Sequence, residues 1–135
     1  HDPQGANAQM TGVLARYGAP TPRTGYEFRA KKNTVESIID YRSAGVSTTV
    51  ASETATTWLA GDVLLATVVG TSLTLRRNGT ALLGPSTEAS LSSGRVGIII
   101  RDGTTLANTE LNDFTIIAGG AFLSHTRNRL VSVLA

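Results

Sequence analysis

Two acidic side chains, Glu36 and Asp40, are the nearest approach in this chain to a carboxylate pair that could cleave a glycosidic bond. Retaining hydrolysis needs its carboxyl groups about 5–5.5 Å apart, and inverting hydrolysis about 6.5–9.5 Å. On a strand, Glu36 and Asp40 share one face but stand two pleats apart, roughly 13 Å at the rise of extended chain. That is too far for either route, and solvent-face carboxylates are the better reading. A serine hydrolase would need Ser, His and an acid in register, yet the histidines, His1 and His125, lie near the two ends of the chain with no motif around them. They also lack the His-x-His or His-Glu-x-x-His spacing of a zinc site. No cysteine is present, which removes thiolate nucleophiles, thiolate metal sites and disulfides together. Gly103, Gly119 and Gly120 precede no helix and build no phosphate cradle.

Carbohydrate binding asks for less: a flat aromatic surface against the apolar face of a sugar, flanked by planar hydrogen-bonding groups. Tyr17, Tyr26, Tyr41 and Trp58 are the candidate platforms, with Arg16, Arg42 and Asn33 close to them in sequence. Aromatic residues make up only 5% of the chain, so any platform is small. Three of the aromatic candidates also have a packing role open to them. Trp58, just ahead of Gly61-Asp62, suits a core or edge position, and Tyr17 and Tyr26 suit a sandwich interior with their hydroxyls at its rim. Asn78-Gly79-Thr80 has the form of a glycosylation acceptor, but a hairpin turn accounts for it fully.

The elements that would position these residues are strands. A chain of 135 residues is one domain's worth, enough to bury about two-thirds of its unfolded surface. With 41% hydrophobic and 16% charged residues it is globular and poor in charge, and Thr and Ser supply much of its polar surface. The net charge of +2 comes from scattered basic residues with no interleaved aromatics, which argues against nucleic-acid binding. No apolar run reaches the roughly 18 residues of a membrane span, and no signal-peptide core is present. A chain opening on His1 reads as a processed product or a piece of something longer.

Short alternating segments separated by turn residues run through the sequence. Residues 8–17 form the first, followed by a Pro-containing loop over 18–23. Tyr26, Phe28 and Ala30 then occupy one face of a strand, with Glu27, Arg29 and Lys31 on the other, the alternation of a sheet with one wet side. Residues 35–42 and 45–52 form a hairpin turning near Ser43-Ala44-Gly45. Strands follow over 63–69, 73–77 and 80–83, the last pair joined by Asn78-Gly79, the strongest hairpin signal in the chain, and the third ended by Gly84-Pro85. A loop over 85–93 leads to strands at 95–101 and 108–117. Residues 119–135 lack clean alternation and form a tail of their own, suited to a helix, an added strand or a docking peptide.

Several of these segments carry a family pattern. Gly12 to Tyr17 (Gly-Val-Leu-Ala-Arg-Tyr), Gly25-Tyr26, Trp58 to Leu64, Val69 to Leu75, Asn78-Gly79-Thr80, Ser93 to Gly97 and Asp113-Phe114 together resemble the concanavalin A-like, laminin G-like jelly roll of phage tail or fibre proteins and bacterial surface proteins. The resemblance spans residues 12–114 and rests mostly on turn glycines and inward apolar positions. It implies an all-β, antiparallel two-sheet sandwich of the jelly-roll type over residues 1–118, with 119–135 as a docking or assembly segment. Strands that usually precede the Gly12 to Tyr17 element have no match, so an incomplete sheet edge is expected, filled by the tail or by a neighbouring chain.

For function the resemblance implies a non-catalytic adhesion or structural module of a virion or cell surface. Its partners would be a host polysaccharide, further copies of itself or other virion and surface proteins. A carbohydrate-binding module of a secreted bacterial protein is the alternative, and a glucanase-like hydrolase a third reading, disfavoured because the family's Glu-x-Asp-x-x-Glu strand is missing. Such jelly rolls also often hold a structural calcium. Asp113 matches the family's terminal Asp-Phe position, with Asp62 and Asp102 at loop edges as further ligands, although calcium takes six to eight oxygens and turn-forming aspartates explain Asp62 and Asp102 as well.

Overall fold

A computed structural model of the chain describes residues 10–18, 21–31, 35–59, 61–101, 114–117 and 131–134. All regular structure among them is strand: β1 (Met10–Tyr17), β2 (Gly25–Lys31), β3 (Glu36–Ser43), β4 (Val46–Glu53), β5 (Leu64–Val69), β6 (Ser72–Arg77), β7 (Thr80–Thr87), β8 (Arg95–Arg101), β9 (Phe114–Ile117) and β10 (Val131–Leu134). Two five-stranded sheets result, ordered β4-β3-β2-β1-β8 and β7-β6-β5-β10-β9. The expected all-β sandwich is what the chain forms.

Period-two alternation builds the core. Val13 and Ala15 of β1, Tyr26, Phe28 and Ala30 of β2, and Ile39 of β3 face Leu64, Ala66 and Val68 of β5, Leu73 and Leu75 of β6, and Leu83 of β7. Phe28, Ile39, Leu73 and Leu75 are fully enclosed, and burying each such side chain stabilises the fold by about 1.5–3 kcal/mol. The hairpins close where the turn residues demand it. Asn78 and Gly79 take φ of 50° and 85°, and Ala44 and Gly45 take 48° and 86°, the doubly left-handed geometry of a type I′ turn. Arg77 therefore faces Thr80, and Ser43 faces Val46.

One strand differs from the sequence reading, and the end of the tail takes one of its alternatives, the added strand. The strand at 80–83 does not stop at Gly84-Pro85 but runs to Thr87, because register shifts against β6 absorb the interruption. Proline is tolerated there since β7 is an edge strand. The end of the tail, β10, lies inside the second sheet, parallel to both β5 and β9. Antiparallel pairing follows the sequence from β1 to β4 and from β5 to β7, two meanders, and departs from it where β8 returns to pair with β1.

The wet side expected for β2 is not wet. Glu27, Arg29 and Lys31 point away from the core cluster, yet only 1%, 6% and 4% of their surface is exposed. Met10 and Ile38, on neighbouring strands, are buried as well. The first sheet is thus shut from solvent on both faces around β2, and the second of these faces is charged.

Candidate functional site

Register assembles the charged layer. On β2 and β3, Glu27 stands opposite Asp40, Lys31 opposite Glu36, and Gly25 opposite Arg42. Arg29 pairs with Asp40, whose Oδ2 also accepts from Ser47 Oγ at 2.8 Å. Arg42 Nε donates to Glu27 Oε1 at 2.9 Å, and its Nη1 reaches the Gly45 carbonyl at 2.9 Å. Arg23 approaches Glu27 at 3.7 Å, and Lys31 pairs with Glu36. Arg29 Nε and Glu27 Oε2 face each other at 3.7 Å, an ion pair too long to be a hydrogen bond. Those two atoms and Asp40 Oδ1 have no hydrogen-bond partner among the described residues. Burial pushes the Arg29 guanidinium below its ordinary value, with Glu27 opposing and Arg42 adding to the shift.

Cross-strand neighbours have Cβ atoms about 4.5–5.5 Å apart, so Glu27 and Asp40 are the carboxylate pair this fold brings together. Distance along a single strand pointed to Glu36 and Asp40 instead. It also misplaced them in solvent: Asp40 is 2% exposed and held by Arg29 and Ser47, while Glu36 is half-buried against Lys31. A general acid needs access to substrate. Glu27 and Asp40 are almost wholly buried and held by guanidinium groups, so neither offers it.

The tyrosine candidates serve the sandwich. Tyr26 is completely buried, with its hydroxyl accepting from the Leu91 N–H at 3.0 Å and lying 3.3 Å from the carbonyls of Glu88 and Leu91. Its ring meets that of Tyr41 at 5.9 Å, tilted by 54°. Arg16 donates from Nη1 to the Leu91 carbonyl at 2.6 Å, so one loop carbonyl is gripped by two candidates. Arg16 sits at φ 49°, where the β1–β8 register shifts between Leu14 and Tyr17. Gly94 permits this kink: a Cβ on it would lie 2.3 Å from the Arg16 carbonyl carbon. Tyr17, opposite Arg95, is half-buried at the same end.

Trp58 belongs to a different cluster. Its Nε1 donates to Ser37 Oγ at 2.9 Å, and Ser37 donates in turn to Glu53 Oε1 at 2.6 Å. Arg77 lies over the indole, 5.6 Å from the ring centroid, and binds Asp62 through Nη2 at 2.6 Å and Nε at 2.8 Å. Ser37 and Tyr41 are separated by two pleats of β3, roughly 13 Å, so Trp58 does not join the tyrosines in one aromatic platform. Of the proposed sugar-contacting set, Arg16, Tyr17, Tyr26, Tyr41 and Arg42 gather towards one end of the sandwich, engaged with the protein itself, and Trp58 packs towards the other.

Asp62 is a turn aspartate. It accepts from the Leu59 N–H at 2.7 Å, from Arg77, and from Asn78 Nδ2 at 2.8 Å. Burial raises its carboxyl, and these hydrogen bonds together more than offset that, holding it below the usual carboxylate range. The other calcium candidates, Asp102 and Asp113, lie outside the described residues, as do His1, His125 and Asn33. Among the described residues no three His, Cys, Asp or Glu side chains group so as to hold a metal ion, and no helix is long and apolar enough to cross a membrane.

Sequence reasoning missed the Ser37–Glu53 contact, the Glu27–Asp40 juxtaposition and the turn in which Ser90 caps Glu88 Oε1 through its N–H at 2.8 Å. The first two depend on strand register, which no local motif announces; the last is a local side-chain-to-backbone turn of the kind Ser and Glu favour. No protein-family model matches the chain, and no curated protein or solved structure matches it.

Proposed function

We propose that this sandwich is a non-catalytic adhesion or structural module of a virion or cell surface, holding a glycan or a neighbouring subunit in the manner that the concanavalin A-like, laminin G-like resemblance implies. One observation carries the reading. The carboxylates that the register brings together, Glu27 and Asp40, are 1% and 2% exposed and bound to Arg42 and Arg29, so they hold strands together and are out of reach of a glycosidic bond. Arg16 and Tyr26 likewise spend polar atoms on the loop carbonyl of Leu91, Trp58 on Ser37 and Arg42 on Glu27. A jelly-roll connectivity and a phage tail or fibre setting belong to the same proposal.

The test is electrophoresis of the native chain through gels containing bacterial surface polysaccharides, with release of reducing ends measured on the same samples. Retardation without release is the expected result. Release that disappears in Glu27→Gln or Asp40→Asn would overturn the non-catalytic reading.

A further inference from the structure

Among the described residues, the edge strands on one side of the sandwich are guarded and the first sheet's edge on the other side is less so. Edge strand β4 is bulged opposite Ile39 and Asp40 and exposes Ser47, Thr48 and Thr49. Edge strand β7 carries Gly84-Pro85 and two register shifts. Polar side chains, bulges and proline are the ordinary devices that stop a sheet edge from pairing with another chain. The edge strand of the first sheet on the opposite side, β8, has no proline, carries charge only at its two ends, Arg95 and Arg101, and shifts register against β1 only beyond Gly97, between Leu14 and Tyr17. Between Arg95 and Arg101 it reads Val-Gly-Ile-Ile-Ile, and its pairing with β1 runs without a break from Arg101 to Gly97. Among the described residues β1 is its one strand neighbour. Ile98 stands opposite Val13, which is fully buried in the core, yet Ile98 itself is 44% exposed. A residue of core parity is therefore left in solvent in the middle of an apolar edge that, among the described residues, has no further strand beside it.

We propose that β8 is the self-association edge of this protein, with two copies pairing their β8 strands antiparallel about a two-fold axis at Gly97. Charge disfavours one register, and cover for Ile98 favours another. An axis at Ile98 would place Arg95 opposite Arg101 of the other copy, and like charges directly opposite are destabilising. An axis at Gly97 places Arg95 opposite Ile99 and Arg101 opposite Ser93. It also sets Val96 of each copy, which packs against the core, opposite Ile98 of the other, so the exposed core-parity position is covered and the first sheets of the two copies join. The contact uses the same patch twice and closes on itself, which limits it to a dimer. This deepens the assembly half of the module reading and names the partner as a second copy.

Light scattering of the native chain over a concentration series is the first measurement, and a monomer–dimer equilibrium is expected. Ile98→Lys is expected to raise the dimer dissociation constant about tenfold or more while keeping the circular dichroism of the parent, since the side chain is already partly in solvent. The chain has no cysteine, so Gly97→Cys supplies a second readout: its Cβ would meet Leu14 at an ordinary 3.6 Å, and oxidation is expected to give a covalent dimer, whereas Thr49→Cys on β4 stays monomeric. A particle that is monomeric at every concentration overturns the proposal. So does a dimer that Ile98→Lys leaves intact and Gly97→Cys fails to cross-link. Glycan retention by the Ile98→Lys monomer is scored separately, so failure of the edge contact and failure of the adhesion reading are told apart.

Discussion

The indole N–H of Trp58 donates to Ser37 Oγ at 2.9 Å and so fastens the connection between β4 and β5 to β3 of the first sheet, while Arg77 of the second sheet lies across the same ring. Trp58 thus bridges the two layers at the place where the chain passes between them. Replacing it with Phe keeps most of the ring and removes the donor. The expected loss is about 0.5–1.5 kcal/mol, read as a lower urea midpoint at unchanged slope; a midpoint equal to that of the parent would show that the bridge is idle.

Arg29 is expected to be the costliest single side chain to remove from the charged layer. Arg29→Met leaves Asp40 buried with its positive partner gone, while Glu27 keeps Arg42, and breaking a buried pair from one side typically costs about 3–5 kcal/mol. Arg29→Met combined with Asp40→Leu should recover part of that loss, because apolar replacement of both partners removes the stranded charge. Denaturant unfolding of both variants checks the ordering.

Gly94→Ala tests the kink at Arg16. Gly94 takes φ of 146° and its Cβ would press on the Arg16 backbone, so neither rotation nor a side-chain shift relieves the contact. A destabilisation of more than about 1 kcal/mol is expected, and thermal unfolding at the parent's midpoint would contradict the observed backbone approach.

Acid should weaken the fold through Asp62, Glu53 and Glu88. Burial raises Glu53, but hydrogen bonds from Ser37, Ala55 and Thr56 outweigh it. Glu88 is lowered chiefly by the Ser90 hydroxyl and N–H, against a smaller effect of burial, and Asp62 is lowered as described above. A carboxyl whose folded pKa lies below its unfolded value stabilises the fold above the ordinary carboxylate range, and that contribution is lost as pH falls through the folded value. Stability should therefore decline below the usual carboxylate pKa, and Asp62→Asn should flatten the decline. An unchanged acid limb in Asp62→Asn would assign it to other groups.

Local pattern carried most of the fold. Tyr26, Phe28 and Ala30 show their inward face in the sequence, and Asn78-Gly79 shows its turn, because side-chain period and left-handed φ are properties of short stretches of chain. Candidate site residues were legible as types but not as neighbours. Tyr26 and Arg16 meet at the Leu91 carbonyl across 65 and 75 positions of chain, a contact created by how the sandwich closes.

By itself, then, the sequence determined most of the strands, their turns and the inward face of β2, since these follow from alternation and backbone preference within a few residues. Only the tertiary structure decided that the polar face of β2 is buried, that Glu27 rather than Glu36 is the neighbour of Asp40, that β10 enters the second sheet in parallel, and that Ile98 stays exposed. Each of these depends on which strand lies beside which and in what register. Hydrogen bonds between strand backbones are alike whatever the side chains, so pairing is fixed by the packing of the whole molecule.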